Sequence, residues 1–213
     1  MKKTFVLIVL FVLPIVAYLF FASGINNFGR LPTLTKNVDD VSRIDTSITL
    51  NDNITILGFL GNDIDHKKGN AFNLNQKIYK RFYEFRDFQF VMVLPLGNEQ
   101  KVERLKEELG GLTDISKWHF VFGTNEQVNK IFDGLKTDLS LDNNLATSYV
   151  FIIDKERNLR GRKEDEDEGT KYGFNTSSVA DLNNKMEDDV KIILAEYRMA
   201  LKKNSANRKG NEK

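Results

Sequence analysis

Residues 54–60 read ITILGFL, a short apolar run rich in β-branched side chains and bounded by the polar stretches NDN and GND. A run of this length and composition predicts a strand buried on both faces of a sheet. Three later runs have the same character: FQFVMVL at 88–94, WHFVF at 118–122 and YVFII at 149–153. The chain therefore has four candidate core strands.

Helical patterns separate these strands. The first is marked by apolar residues at spacings of four, four and three: Leu74, Ile78, Phe82 and Phe85. A second, short helix covers residues 102–109. Thr124, followed three residues later by Gln127, is typical of a capping box and predicts a third helix. Ser178 is a suitable N-cap for a long amphipathic helix that continues to Leu201.

Strands that alternate with helices predict a parallel sheet, and Leu159–Arg162 adds an antiparallel hairpin partner to the last core strand. The order is βαβα, then an inserted βα, then ββα. We therefore predict an α/β, thioredoxin-like domain with a peroxiredoxin-type insertion, a central mixed sheet and flanking helices over residues 48–202. Residues 203–213 are polar and are predicted to be a disordered tail.

The N-terminus reads as a membrane segment. Two lysines precede an almost wholly apolar stretch, residues 5–22, which is close to the length that a membrane-spanning helix needs. We predict a transmembrane anchor within residues 1–23, although Ala22-Ser23-Gly24 could also serve as a signal-peptide cleavage site. The positive-inside rule then places the N-terminus in the cytoplasm and the domain in the periplasm, as a single-pass protein of the inner membrane. Residues 24–47 are predicted to be a tether.

Composition excludes several classes of function. The chain has 31 Lys+Arg against 30 Asp+Glu, so no overall field would attract nucleic acid, and we expect no nucleic-acid partner. It has no cysteine, which removes thiol redox chemistry, disulfides and every cysteine-containing metal site.

Three segments of the chain resemble the Sco/SenC family, membrane-tethered thioredoxin-fold proteins that help to deliver copper to cytochrome oxidase. ITILGFLG at 54–61 resembles the family's first core strand. KWHFVFGTNEQVNKIF at 117–132 is similar to its inserted strand and helix, and SYVFIIDKERNLRGR at 148–162 to its last hairpin. The resemblance covers most of residues 48–200.

The chain departs from this family at the copper site. The family's Cys-x-x-x-Cys follows the first strand, where this chain reads GNDIDHKKG at 61–69. The family's ligand histidine falls near Ala146. Because thiolates are the ligands that select Cu(I), the copper chemistry does not carry over, and we expect no cofactor.

One cluster near that loop could bind a metal. Asp63, Asp65 and His66 offer two carboxylates and an imidazole within four residues, which suit a hard or borderline metal ion. The alternative is an ordinary solvated loop, in which Lys67 and Lys68 would repel a cation. We favour the solvated loop and expect no metal.

Two other features have a structural and a functional interpretation. His119 lies within an apolar strand, which favours a structural, hydrogen-bonded histidine over a ligand or a base. The acidic run Glu164–Glu168 is typical of a solvated turn, and the alternative is a docking patch for a basic partner.

The sequence contains no nucleophile elbow, phosphate-binding glycine loop or H-E-x-x-H pattern, so we do not expect an enzyme.

The sequence therefore predicts a non-catalytic, membrane-anchored extracytoplasmic protein. We expect it to bind an envelope protein during assembly of a respiratory, cytochrome oxidase-type or other envelope complex. The alternative is a cysteine-free protein that binds a metal or a small ligand through residues 63–66.

Overall fold

The computed structural model of the chain describes residues 10–16 and 29–210. All four predicted core strands form, three of them extended by one or more residues. The strands are β1 (Thr33–Thr35), β2 (Ile54–Leu60), β3 (Phe88–Pro95), β4 (Trp118–Gly123), β5 (Ala146–Ile153), β6 (Leu159–Arg160), β7 (Arg162–Asp165), β8 (Gly169–Lys171) and β9 (Phe174–Asn175). The α-helices are α1 (Ile64–Leu74), α2 (Lys80–Phe82), α3 (Glu99–Gly110), α4 (Asn125–Asp133), α5 (Val179–Asp181) and α6 (Glu187–Gly210).

Three short helical turns complete these elements. Val41–Arg43 forms a 3-10 turn, while Asn75–Tyr79 and Leu182–Met186 are π-helical. The first π-turn joins α1 to α2, and the second joins α5 to α6, so each pair runs as one interrupted helix. The capping box of α4 forms as predicted, with Thr124 and Gln127 bonding reciprocally.

A seven-stranded mixed sheet has the order β1-β6-β5-β2-β3-β4, with β9 pairing on β5. Strands β2, β3 and β4 are parallel, whereas β5 runs antiparallel to β2, and β6 antiparallel to β5. The order β6-β5-β2-β3, with these directions, is the thioredoxin arrangement, and β4 with α4 is the inserted unit. The predicted mixed sheet with flanking helices is confirmed.

Both faces of the sheet are covered, which explains why every residue of β2 and β3 is buried. One face packs against α1, α3 and α6, and its core includes Phe90 and Trp118 with ring centroids 4.8 Å apart. The other packs against α4 and against residues that precede β2, with Phe59 and Phe132 edge to face. The continuous apolar runs of the sequence therefore reflect burial on two sides.

The predicted tether was wrong over most of its length. Leu31, Val38 and Val41 are buried, and β1 pairs antiparallel with β6, so the folded domain begins near Leu31 and not at residue 48. Asp40 stabilises this irregular stretch because its carboxylate accepts hydrogen bonds from the Thr49 hydroxyl and the Leu50 amide. These bonds hold the pKa of Asp40 below its usual value, against the opposing effect of burial.

The predicted membrane segment lies mostly outside the described residues. Residues 10–16 are helical, with exposed apolar side chains such as Leu10 and Phe11. Among the residues that the structure describes, no helix is both long and apolar enough to cross a membrane.

Two helix boundaries also differ from the prediction. Residues 64–68, expected to lie in a loop, form the first turns of α1, which has only Ile64, Ala71 and Leu74 buried and so shows little apolar periodicity. At the other end, α6 continues to Gly210, so residues 203–210 of the predicted disordered tail are helical.

Candidate functional site

The candidate site lies at the end of the sheet where β2 and β3 finish and β5 begins. Gly61 follows β2 with a positive φ of 65°. A Cβ atom built on Gly61 would lie 2.7 Å from the Cβ of Ala146 and 2.3 Å from the carbonyl oxygen of Asn144. The loop after the first core strand and the start of β5 are therefore in contact, with no space for a side chain between them.

Asn62 is held in place from three directions. Its backbone N–H donates to the backbone carbonyl of Asn144 (2.8 Å), and its side-chain oxygen accepts from Nδ2 of Asn98 (2.9 Å). Its own carbonyl accepts from Nζ of Lys101 (2.8 Å). Asn98 is nearly fully buried and also donates to the carbonyl of Pro95 (3.0 Å), so this network joins the ends of β2, β3 and β5.

The predicted metal ligands lie beside this network, at the first turn of α1. Nδ1 of His66 is 2.7 Å from Oδ1 of Asp63, and both side chains are exposed. The hydrogen bond and the opposite charge raise the pKa of His66 and lower the pKa of Asp63. Asp65 is exposed on the same turn. Within residues 10–16 and 29–210, no three His, Cys, Asp or Glu side chains come together as a set that could hold a metal ion.

A second polar cluster closes the space between α1 and β5. Nζ of Lys67 lies 3.4 Å from the hydroxyl oxygen of Ser148, which also accepts a bond from Nδ2 of Asn70 (3.3 Å). The Lys67 ammonium is also 4.0 Å from the Asp142 carboxylate. Beneath these side chains lies a cavity of about 10 Å³, which has room for one water molecule at most.

The side chains of this region bond to one another. Ser148 accepts bonds from Lys67 and Asn70, and Nδ1 of His66 lies within hydrogen-bond distance of Asp63. With no cysteine in the chain, thiol–disulfide chemistry by its own side chains is excluded. The arrangement is a set of satisfied hydrogen bonds that stabilise the loops at this end of the sheet.

His119 lies in β4 and is half-buried. Burial lowers its pKa below the ordinary value of 6.5, and the charge of Asp45 opposes this shift. It belongs to a different part of the sheet from the Asp63–His66 pair.

The acidic run Glu164–Glu168 is part of the β7–β8 hairpin, and three of its five carboxylates are paired with lysines. Asp165 is buried, with its Oδ1 2.7 Å from Nζ of Lys185, which also contacts Asp167 at 2.6 Å. Glu168 pairs at 2.9 Å with Lys171, whose side chain is fully buried. The run therefore attaches the hairpin to the helix that follows it, which leaves less charge for a basic partner.

Several residues of the site were missed at the sequence level. Asn62, Asn98, Lys101 and Ser148 have no periodic or motif signal, and the partners in each hydrogen bond are 36 to 81 residues apart. The available hint was that Asn62 and Asn98 lie within three residues of the ends of β2 and β3, since the ends of parallel strands meet at one edge of a sheet.

The sheet order defines a thioredoxin-like fold, and polar contacts join the loops that follow β2 and β3 to the start of β5. The sequence matches no protein-family model and no curated protein. Solved structures of thioredoxin-like proteins are similar to it in fold. One is BsSco, a member of the Sco family of cytochrome c oxidase assembly proteins, with 10% identity over 77% of this chain and 97% of that chain and a TM-score of 0.49.

Two further similar structures come from named organisms. The Arabidopsis thaliana ScoI structure with copper bound shows 16% identity over 68% of this chain and 89% of that chain, with a TM-score of 0.42. A thiol:disulfide interchange protein of the thioredoxin family from Chlorobium tepidum TLS shows 17% identity over 78% of this chain and 98% of that chain, with a TM-score of 0.43.

Proposed function

We propose that this chain is a membrane-anchored, extracytoplasmic Sco-like protein without a redox or copper centre, which binds another envelope protein as an assembly factor. A respiratory complex of the cytochrome oxidase type is the proposed target. The anchor is residues 5–22, and the domain lies on the periplasmic side of the inner membrane.

The observation that carries this proposal is the contact between Gly61 and Ala146. In the family that the sequence resembles, the cysteine loop follows the first core strand and the ligand histidine falls near Ala146. Here these two places are adjacent, yet they are joined by Asn62, Asn98 and backbone hydrogen bonds. The contact of these two segments, with stabilising hydrogen bonds and no reactive thiol, supports a role in binding.

The surface beside this network favours a protein partner. Leu96, in the loop after β3, is 58% exposed, and its neighbour Gly97 has a φ of 90°. An exposed leucine at the tip of a loop, next to a hydrogen-bonded and well-ordered framework, suits recognition of an apolar side chain on a partner.

Site-specific photo-crosslinking in cells tests this proposal. A photoreactive amino acid at Leu96 of the tagged, full-length chain should yield crosslinks to oxidase subunits or their assembly factors, identified by mass spectrometry. The matched control is Leu112, which is 49% exposed and follows α3 at the other end of the sheet. Equal products from both positions, or no envelope protein from Leu96, would contradict the proposal.

The location is tested separately. A protease added to cells whose outer membrane has been opened should digest the domain while a cytoplasmic marker stays intact. Protection of the domain until the inner membrane is lysed would place it in the cytoplasm and overturn the proposed orientation.

The second candidate function is metal binding at Asp63, Asp65 and His66, and the observation in its favour is the 2.7 Å approach of Asp63 and His66. Calorimetric titration of the full chain with Zn(II), Cu(II) and Ca(II) tests it. A heat of metal binding that is present in the unaltered chain and absent in the His66→Ala variant would support the site. No heat of binding in the unaltered chain would exclude it.

A further inference from the structure

Two neighbouring cavities lie on one surface of the domain and share Tyr197 of α6. The smaller, about 260 Å³, is lined mainly by apolar groups that include Phe85 and Leu194, with Arg86 and Arg198 at its margin. The larger, about 520 Å³, is more polar, and its charged lining residues are Arg30, Asp154, Glu156, Arg160 and Glu196. We call this surface the basal face and define it by Arg30, Phe85, Arg86, Tyr197, Arg198 and Met199.

The basal face is at the opposite end of the sheet from the candidate site. The smaller cavity includes Ile54, the first residue of β2, and Asp87, which directly precedes β3. Gly61 and Asn62 follow the last residue of β2. A strand of this length spans roughly 20 Å, so the two surfaces face in opposite directions along the strands.

Apolar and cationic side chains are mixed on this face. Phe85 is 41% exposed and Met199 36%. Arg30 and Arg198 are exposed, and the side chain of Arg86 is 96% exposed, 3.7 Å from Asp87. Exposed aromatic and aliphatic groups flanked by arginines are typical of a surface that rests in the headgroup region of a bilayer.

Some of the carboxylates of this surface are paired with cations. Asp87 contacts Nζ of Lys155 at 2.5 Å, and Glu196 contacts the buried Arg160 at 2.7 Å. Glu156 is exposed and accepts a hydrogen bond from the neutral hydroxyl of Tyr197, so it keeps its charge, and Glu84 is also exposed. At the smaller cavity the side chains that would meet a partner are Phe85, Arg198 and Arg86, the last of which also lies 3.7 Å from Asp87.

We propose that the basal face docks on the membrane surface, with Arg86 and Arg198 binding the phosphates of anionic lipids and Phe85 entering the headgroup region. This inference rests on the proposed anchor. Seven residues, 23–29, separate residue 22 from Arg30, and an extended chain of that length spans at most about 25 Å. The face that carries Arg30 is therefore the one nearest the bilayer.

This orientation has a consequence for the candidate site. With the basal face on the membrane, Leu96 and the Asn62 network point away from it. The domain would then present its binding loops to the soluble part of a partner and not to that partner's membrane helices.

An environment-sensitive fluorophore tests the docking. Because the chain has no cysteine, Phe85→Cys provides a single labelling site in the full-length protein. Reconstituted into vesicles of phosphatidylcholine mixed equally with phosphatidylglycerol, the label should gain intensity and shift to the blue compared with pure phosphatidylcholine. Leu96→Cys, at the opposite end, is the matched control and should respond to neither lipid.

Charge reversal completes the experiment. Arg86→Glu with Arg198→Glu should reduce the response of the label at position 85 several-fold, while circular dichroism shows that the domain remains folded. Equal signals in the two lipids, an equal response from position 96, or a signal that rises with protein density, as for contact with a second copy, would overturn the docking. Flotation separates the two proposals: a chain that does not float with the vesicles lacks the anchor, whereas one that floats without a lipid-dependent signal lacks only the docking.

Discussion

Gly61 is packed against Ala146 so closely that its missing side chain is what allows β2 and β5 to converge. We expect Gly61→Ala to lower the free energy of unfolding by about 2–4 kcal/mol, because the new Cβ would meet the Asn144 carbonyl and the residue would keep a left-handed φ. Denaturant unfolding followed by circular dichroism measures this change.

The chain offers a matched control for that substitution. Gly69 is exposed within α1, and a Cβ built there has no neighbour within 4 Å. Gly69→Ala should therefore raise the free energy of unfolding by about 1 kcal/mol, since alanine has the higher helix propensity. Similar destabilisation by both substitutions would contradict the claim that the close contacts of Gly61 make a Cβ costly at that position.

Arg160 holds the N-terminal stretch of the domain to its last helix. Its guanidinium donates to the Leu31 carbonyl (2.8 Å), to Asp154 (3.0 Å) and to Glu196 (2.7 Å). We expect Arg160→Ala to cost about 3–5 kcal/mol, because it leaves Asp154 buried without its cationic partner. Unfolding experiments should show little effect, under about 1 kcal/mol, for Arg43→Ala, which removes an exposed pair with Asp39. A comparable loss in the two variants would contradict the role given to Arg160.

The sheet could be predicted because its strands are buried on both faces, which leaves unbroken apolar runs such as residues 54–60. The stretch before it could not. Leu31, Val38 and Val41 are buried singly within irregular backbone, and isolated apolar residues carry no period from which to recognise them. The ladder between β1 and β6 also joins residues more than 120 positions apart, which no local pattern reveals.

The sequence pointed to two segments that the fold brings into contact, but the hydrogen bonds around them were not foreseen. The resemblance pointed to residues 61–69 and to Ala146, which the fold does bring together. Asn98 comes from the end of another strand, β3, and Ser148 lies two residues after Ala146 in β5; asparagine and serine are too common in sequences to be noticed alone. The ion pairs of the acidic run could not be predicted for the same reason, since Lys185 lies 20 residues from Asp165 in the sequence.

Asn75 lies in the π-helical turn between α1 and α2 and is fully buried. Neither polar atom of its side chain has a hydrogen-bond partner among the described residues. Replacing it with leucine should raise the free energy of unfolding by about 1–2 kcal/mol, because the cost of burying an unpaired amide disappears. Asn98→Leu is the control: this asparagine is equally buried but makes two hydrogen bonds through Nδ2, so its loss should destabilise the domain. Thermal unfolding of both variants measures the contrast, and destabilisation by Asn75→Leu would point to a bound water in its place.

The two histidines should give the stability of the domain opposite dependences on pH. The pKa of His66 is raised by Asp63. Protonated His66 therefore stabilises the folded domain fully below the unfolded pKa of 6.5, and this stabilisation is lost as the pH rises through the folded pKa. The pKa of His119 is lowered by burial. Stability is therefore highest above pH 6.5, where His119 is neutral in both states, and falls as the pH drops towards the folded pKa. Proton NMR titration should therefore resolve one imidazole on each side of 6.5, assigned by His66→Ala and His119→Gln. In unfolding experiments, His119→Gln should remove the loss of stability on acidification, and His66→Ala the loss on the alkaline side. Two imidazoles that titrate together at 6.5 would refute both assignments.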